Sequence, residues 1–528
     1  MKVTLAQINT HAGDVEKNLQ KIKNTISQYA SQSDLIVFPE MALCGAPLYD
    51  FQNQLALVLQ QEKGIKEIHH MVNALGKNLM VVLGAIQREE KGNQSSYYNS
   101  AVVIGKDISS YHKQQLPNQG IKNEARYLSS GAEMKVFPLP QGKKLGVLIG
   151  EDANSPELLA QLKDQNPDLV VRINSAPFEG ESSGQRIQKL QAIQKALRSN
   201  FIELNQVGGE GGIIFDGGST AFTTEGKLLH QPTRFKEAID LIDTETFGSD
   251  FSSLETPAYY DELLSAMQLG LKDYLEKNKI SDLVIGVSGG IDSAIDLYLA
   301  AQAVSPEHIH AIYMPTAFNS PLSLELSQKL AENLGISLQI GTIQPLLEEY
   351  ETFADKVLNR PLEGVSHENI QARIRGNILM NIANDYRALV LNNSNKTELA
   401  LGYGTLYGDL IGGLCPLGDL KKTTVYALAK HINKEKEWIP QGIIERKASA
   451  ELREGQVDPF DYERDADVVD ALLWGGDPQT LAETYPGDSD HLSELAQRVK
   501  RARFKAKQLP PVLKLTPQTI GQGTQLPY

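Results

Sequence analysis

The chain has 528 residues, 41% of them apolar and 22% charged, with a formal net charge of −14. That length exceeds a single hydrophobic core, and the acidic balance argues against nonspecific nucleic-acid binding as the main role, since that needs basic surface, while leaving room for a local basic nucleotide pocket. The two cysteines, Cys44 and Cys415, rule out a disulfide framework, and with no signal-peptide pattern and no apolar run of about 20 residues a cytoplasmic protein without membrane contact is expected.

In chain order, apolar runs at 2–9, 34–40, 79–87, 97–105, 144–150, 168–176, 201–209 and 212–222 predict strands. A helix is predicted between the first two, with apolar Val15, Leu19, Ile22 and Ile26 at helical spacing. Strands alternating with helices favour helix-covered sheets. The polar stretch near 244–257 is rich in Ser and Thr and lacks periodicity, so a linker at 246–260 divides a domain at 1–245 from one at 261–528. The second half opens on a helix, "YYDELLSAMQLGLKDYLEKN", followed by strands at 282–287, 309–315 and 389–393 and a helix near 322–334. This is the βαβ pattern of a doubly wound parallel sheet. The charged, Pro- and Gly-broken segment 433–465 reads as a lid.

The loop "GVSGGIDSA", Gly286 to Ala294, lies between a strand and a helix. Its glycines let backbone N–H groups approach an anion, and the helix N-terminus favours negative charge. The Gly-Lys-Ser/Thr ending of kinase-type phosphate loops is absent. Further on, Arg373 and Arg375 sit near the start of a predicted helix, and Lys396, Glu398 and Asp409 lie in a segment rich in Gly and Asn. Together they could hold ATP, with Mg²⁺ bridging phosphates and carboxylates.

"SGGIDS" resembles the pyrophosphate loop of ATP pyrophosphatases, and "ENIQARIRG", "NKTELALGYGTLYGD" and "KKTTVYALA" narrow the resemblance to NAD synthetases. The resemblance implies a ligase that adenylates nicotinate adenine dinucleotide (deamido-NAD) with ATP and Mg²⁺, then amidates it to NAD. It assigns Gly286, Val287, Ser288, Gly289, Gly290, Ile291, Asp292, Ser293, Arg373 and Asn393 to ATP. It assigns Asn369, Glu398, Tyr403, Gly404, Thr405, Leu406 and Lys505 to deamido-NAD, and Asp292 and Glu398 to the metal. Lys396, Asp409 and Lys422 become candidate pocket residues, although a solvated surface charge is the plain alternative for each. GMP and asparagine synthetases share a similar loop but lack the "NKTELALGYGTLYGD" segment.

The first half is similar to the nitrilase-type glutaminase domain of the glutamine-dependent NAD synthetases, which implies an αββα sandwich. The resemblance places Glu40 as general base, Lys113 as oxyanion partner and Glu124 as second glutamate. Where the family pattern reads Cys-Glu-Asp, this chain has Gly150-Glu151-Asp152. The family's glutamine-contacting Tyr is Gln119, the Ser of its Asn-Ala-Ser-Pro-Phe is Ala176, and its polar run before Phe-Asp-Gly is Glu210-Gly211-Gly212. Cys44 lies four residues after Glu40, on a different strand from Gly150, and reads as a buried thiol. The expectation is a vestigial glutaminase beside an ammonia-dependent synthetase, assembled as a homo-oligomer. A surviving glutaminase by another route, or a ligand-sensing first domain, are the alternatives.

Overall fold

The first strand, Lys2–Gln7, is buried from Val3 onward and is paired on both sides, one strand in from the edge of its sheet. The computed structural model describes residues 1–92, 94–230, 233–246, 257–485, 487–521 and 523–524. The chain divides into two compact units, Met1–Leu269 and Gly270–Tyr528. Most of the stretch read as a linker, 247–256, lies outside the described residues.

The first unit holds two six-stranded sheets. One runs, in spatial order, Ala238–Asp243, Lys2–Gln7, Leu35–Val37, Met80–Lys91, Gln94–Ile104 and Ile108–His112. The other runs Leu228–His230, Thr220–Phe222, Asn200–Asn205, Leu169–Asn174, Lys144–Ile149 and Val136–Pro138. Leu5, Val37 and Val82 of the first sheet share one apolar cluster with Val147, Ile149, Val171 and Ile202 of the second, so the sheets pack face to face. The outer face of the first sheet packs against helices Val15–Tyr29 and Leu55–Ala74 through Ile22, Ile26, Ile65 and Ile68. Ile187 and Leu190 of Ser183–Leu197 cover the second. The layer order is therefore α-β-β-α.

Strands Ile108–His112, Val136–Pro138, Leu228–His230 and Ala238–Asp243 escape the sequence reading. All four lie at sheet edges, where one ladder side is unpaired and hydrophobic alternation is weakest.

In the second unit, four parallel strands take the order Leu338–Ile340, Ile309–Tyr313, Leu283–Val287 and Leu389–Val390. The order reverses beside Leu283–Val287, which makes the carboxyl ends of that strand and Leu389–Val390 the topological switch point of a doubly wound sheet. Helix Ile291–Ala303 leaves the first of these strands and buries Ile291, Ile295 and Leu299. Helix Tyr259–Asn278 has the bounds its periodicity predicts. Arg373 and Arg375 fall in the middle of Val365–Tyr386 rather than near its start, because helical structure begins well before the first apolar anchor. No described helix is long and apolar enough to cross a membrane.

Candidate functional site

In the first unit, Glu40 beyond strand Leu35–Val37, Lys113 after Ile108–His112, Glu124 at the start of a short helical turn and Glu151 after Lys144–Ile149 meet in one largely buried cluster. Lys113 Nζ donates to Glu40 Oε1 at 2.8 Å and to Glu124 Oε1 at 2.9 Å, and pairs with Glu151 Oε2 at 2.6 Å. Lys113 and Glu40 are both 0% exposed. Asn99 Nδ2 donates to Glu40 Oε1 at 2.8 Å, while the Ser175 N–H and hydroxyl donate to Glu40 Oε2 at 2.9 and 2.8 Å. Lys122 Nζ donates to Glu151 Oε1 at 2.6 Å.

Burial opposes every charge in this cluster, and the pairing decides which persist. Lys113 is held protonated well above its ordinary value by the three carboxylates despite its burial. Glu40 stays below the usual carboxylate range against its burial because Lys113 and Lys122 face it, and Glu151 is held down by the same two ammoniums. Burial lifts Glu124, Lys113 only partly offsets it, and the charge of Glu40 adds to the rise. The fold thus places Glu40, Lys113 and Glu124 side by side, with Glu151 and Ser175 joining them.

Gly150 faces the same cluster at φ +47°. A β-carbon there would lie 2.8 Å from Lys113 Nζ and 3.1 and 3.2 Å from the Glu40 oxygens. Below 3.0 Å a neighbour has to move, and positive φ strains any residue with a β-carbon. Arg172 Nε donates to the Gly150 carbonyl at 2.8 Å, and Asp152 accepts from Tyr111 and from the N–H groups of Gln114 and Gln115. Cys44 is fully buried with its thiol on the Met41 carbonyl, and burial pushes its pKa up to about 12. It presents no thiolate. Gln119 is exposed on the short strand Asn118–Gln119, and Ala176 N–H donates to Asn205 Oδ1 at 2.8 Å.

In the second unit, a cavity of about 310 Å³ lies at the switch point. Gly286, Val287, Ser288, Gly290, Ile291, Asp292 and Ser293 of the loop line it. Gly289 stands at φ +75°, and a β-carbon there would meet the Ser323 carbonyl at 2.6 Å, so only glycine fits that turn. Asn393 Nδ2 donates to the Gly286 carbonyl at 2.8 Å, leaving its buried Oδ1 without a partner.

Lys422 is the centre of charge. It is 2% exposed; its Nζ donates to Asp292 Oδ2 and, at 2.8 Å, to Glu398 Oε1. Asn395 Nδ2 donates to Asp292 Oδ1 at 2.9 Å. Burial, with the nearby charge of Asp292, raises Glu398 to about 7 even though Lys422 opposes the shift. The carboxylate oxygens of Asp292 and Glu398 are hard ligands of the kind that suits Mg²⁺.

Of the expected dinucleotide residues, Glu398, Tyr403 and Thr405 line the cavity. Thr405 Oγ1 donates to Asn369 Oδ1 at 2.8 Å, and Lys505 Nζ donates to the carbonyls of Gly402 and Gly404 at 2.7 and 2.6 Å. Asn369, Gly404, Leu406 and Lys505 are not among the lining residues. Arg373 is exposed and donates to the Leu406 carbonyl at 3.2 Å, whereas Arg375 lines the cavity. Side chains two positions apart on a helix point about 200° from each other, so both cannot face the same way. Burial pulls the Arg375 guanidinium down to about 10. Asp409 also lines the cavity, accepting from Thr405 N–H at 2.6 Å. Lys396 does not: its Nζ is buried against Asp419, Asp470 and the Gln518 carbonyl.

The segment read as a lid contributes wall residues that the sequence reading did not single out, among them Arg446, Lys447, Ser449 and Asp458. Asp458 accepts from Tyr403 at 3.0 Å and from Tyr462 at 2.9 Å. Two hydroxyls meeting one acid more than fifty residues from Tyr403 leave no local signal.

The NAD synthase family matches residues 263–510, and the carbon–nitrogen hydrolase family matches residues 2–249. The glutamine-dependent NAD(+) synthetase of Acinetobacter baylyi is 33% identical over 522 residues, spanning 96% of this chain and 94% of its own. That of a Synechocystis species is 33% identical over 99% of this chain and 98% of its own. Among solved structures, the ADP complex of the Acinetobacter baumannii glutamine-dependent NAD+ synthetase superposes with a TM-score of 0.79 at 30% identity, covering 100% of this chain and 98% of that one. A Cytophaga hutchinsonii synthetase superposes with a TM-score of 0.83 at 20% identity, covering 100% of this chain and 97% of that one, a likeness of fold. With both halves matched and this identity held over nearly its full length, the chain belongs to the NAD synthetase family that joins a carbon–nitrogen hydrolase domain to a synthetase domain.

Proposed function

We propose that this chain makes NAD from deamido-NAD, ATP and free ammonia, as a homo-oligomer in the cytoplasm. The synthetase half of the reading is supported by the cavity in which the glycine loop, Asp292, Lys422 and Glu398 meet. The nicotinate carboxylate attacks the α-phosphorus of ATP, the bond to the bridging oxygen breaks, and pyrophosphate leaves with that electron pair. Ammonia then adds to the acyl carbon, AMP departs with the electron pair of the carbon–oxygen bond, and the nitrogen releases a proton to solvent, leaving the amide. A carboxylate is a poor electrophile at neutral pH, and adenylation supplies the leaving group it lacks.

In this reading the backbone N–H groups of the 286–293 loop hold the phosphates, aided by the dipole of helix Ile291–Ala303. Lys422 offsets charge on that side of the cavity. Asp292 and Glu398 would hold Mg²⁺, which when bound neutralises charge on the departing pyrophosphate. Tyr403 and Thr405, with Asn369 and Lys505 behind them, orient the dinucleotide.

The ammonia half rests on one observation: Gly150 offers no nucleophile, and the space its side chain would need is taken by Lys113 and Glu40. The relatives are named glutamine-dependent, and glutamine use requires a thiol that forms a thioester. Cys44, the other candidate in this unit, is sealed and protonated. Purified protein given deamido-NAD, ATP, Mg²⁺ and ammonium should form NAD, AMP and pyrophosphate in equal amounts. Absence of AMP, or ADP in its place, would contradict the adenylation step.

A further inference from the structure

Arg446 sits on the wall segment beside the glycine loop, with 19% of its side chain exposed. Its Nη1 donates to Ser323 Oγ at 2.9 Å and, at 3.4 Å, to the carbonyl of Gly289 inside the loop. Its Nη2 donates to Glu451 Oε1 at 2.8 Å. Glu451 stands at φ +47°, a backbone state that costs a residue with a β-carbon free energy and here turns it toward the arginine. Its neighbours Ala448, Ser449, Ala450 and Leu452 line the cavity instead.

The partners of Glu451 are unusual in number. Besides Arg446, its carboxylate accepts from Ser320 Oγ at 3.0 Å, Ser323 Oγ at 2.8 Å and Asn319 Nδ2 at 3.1 Å. Four donors serve one carboxylate, so loss of the arginine would leave it solvated by three neutral groups. A fully buried carboxylate whose only partner was the cation would not tolerate that loss, whereas the Glu451 side chain is 13% exposed and keeps its three neutral donors. Two other cations of the cavity are committed differently. Lys422 neutralises two carboxylates, and Arg375 donates to the Met314 carbonyl at 2.9 Å and to Asn319 Oδ1 at 3.3 Å.

We infer that Arg446 is a transferable phosphate clamp: Glu451 holds it beside the loop, and it passes to the β- and γ-phosphates of the nucleotide and then to the leaving pyrophosphate. This rests on the reading of the cavity as an ATP site. A guanidinium matches two phosphate oxygens in a fork, which a lysine cannot do. Exchange of one anion for another of higher charge needs no new cation to be desolvated. As pyrophosphate departs with the electron pair of the α-phosphorus–oxygen bond, charge grows on the oxygens this group would hold.

Pyrophosphate titrated into the full-length protein by calorimetry, with Mg²⁺ present, tests this without depending on turnover. Arg446→Ala should weaken binding roughly 10- to 100-fold, the range of one bidentate charged contact. Arg446→Lys should recover only part of it. Glu451→Gln should act in the opposite sense, tightening pyrophosphate several-fold because the arginine is no longer held by a charge. Unchanged binding in Arg446→Ala would overturn the inference. Equal weakening in Arg446→Ala and Glu451→Gln would too, since it would mark both as wall structure. A wild type that binds pyrophosphate but makes no NAD would refute the proposed function and leave the clamp standing.

Discussion

Replacing Gly150 by cysteine puts a thiol where the hydrolase reaction needs one, and the structure predicts that it restores nothing. The new β-carbon would lie 2.8 Å from Lys113 Nζ and within 3.2 Å of both Glu40 oxygens. Those atoms end flexible side chains, but both side chains are 0% exposed and ionically fixed, so moving them disturbs the Glu151 and Glu124 contacts as well. Left-handed backbone costs a residue with a β-carbon about 1–2 kcal/mol, and crowding in a filled core adds about 1–3 kcal/mol. A total of about 2–5 kcal/mol corresponds to a fall in Tm of roughly 5–15 °C for a unit of this size. The assay pairs a melting curve with NAD formation from glutamine. Expected are a lower Tm, no gain with glutamine, and an ammonia-dependent rate within about twofold of the parent below the transition. A Gly150→Cys protein that melts as the parent does and uses glutamine would refute this reasoning at both points.

Asp292→Ala or Glu398→Ala should cut adenylation, read as AMP release, by at least about 100-fold, through loss of charge placement around the phosphates; near-parental rates in both would remove them from the metal site. Lys422→Met should do the same and also leave Asp292 and Glu398 facing each other without their shared ammonium, a loss of about 3–5 kcal/mol visible in denaturant unfolding. Glu124 predicts a pH effect. Burial raises its pKa in the folded state, so the stability it contributes is present below its ordinary value near 4.5 and is lost as pH rises through the raised one. Melting curves from pH 4 upward should show that loss, and Glu124→Gln should flatten it; an unchanged slope would contradict the assignment. Finally, Cys44 and Cys415 are both 0% exposed, so a thiol reagent should label neither in the native protein and both after denaturation.

Local chemistry made part of this molecule readable. The strand at 283–287 and the glycine loop after it are adjacent in sequence, and the loop lies where a doubly wound sheet places a ligand. Glu40 and Lys113 were found by matching a pattern, and the fold brings them to 2.8 Å. What escaped depends on pairs with no periodic signal. Lys422 meets Asp292 across 130 residues, and nothing near either predicts that an ammonium will lie between two acids. The choice between Arg373 and Arg375 turns on helix phase, which two residues of spacing do not reveal without the helix boundaries. Arg446 and Glu451 sit in an irregular segment where burial follows no repeat. The crowding at Gly150 was invisible because the atoms that create it belong to other strands. A missing side chain reads as a gap in the sequence, whereas in the fold it is the condition for a closed ion cluster.

In the proposed reaction nitrogen reaches NAD from free ammonia and not from glutamine. The most direct test supplies amide-¹⁵N glutamine and unlabelled ammonium together, with deamido-NAD, ATP and Mg²⁺, and reads the NAD amide by mass spectrometry. Expected is NAD carrying only unlabelled nitrogen, with no NAD when ammonium is omitted. Incorporation of ¹⁵N into NAD by ammonium-free protein would contradict it.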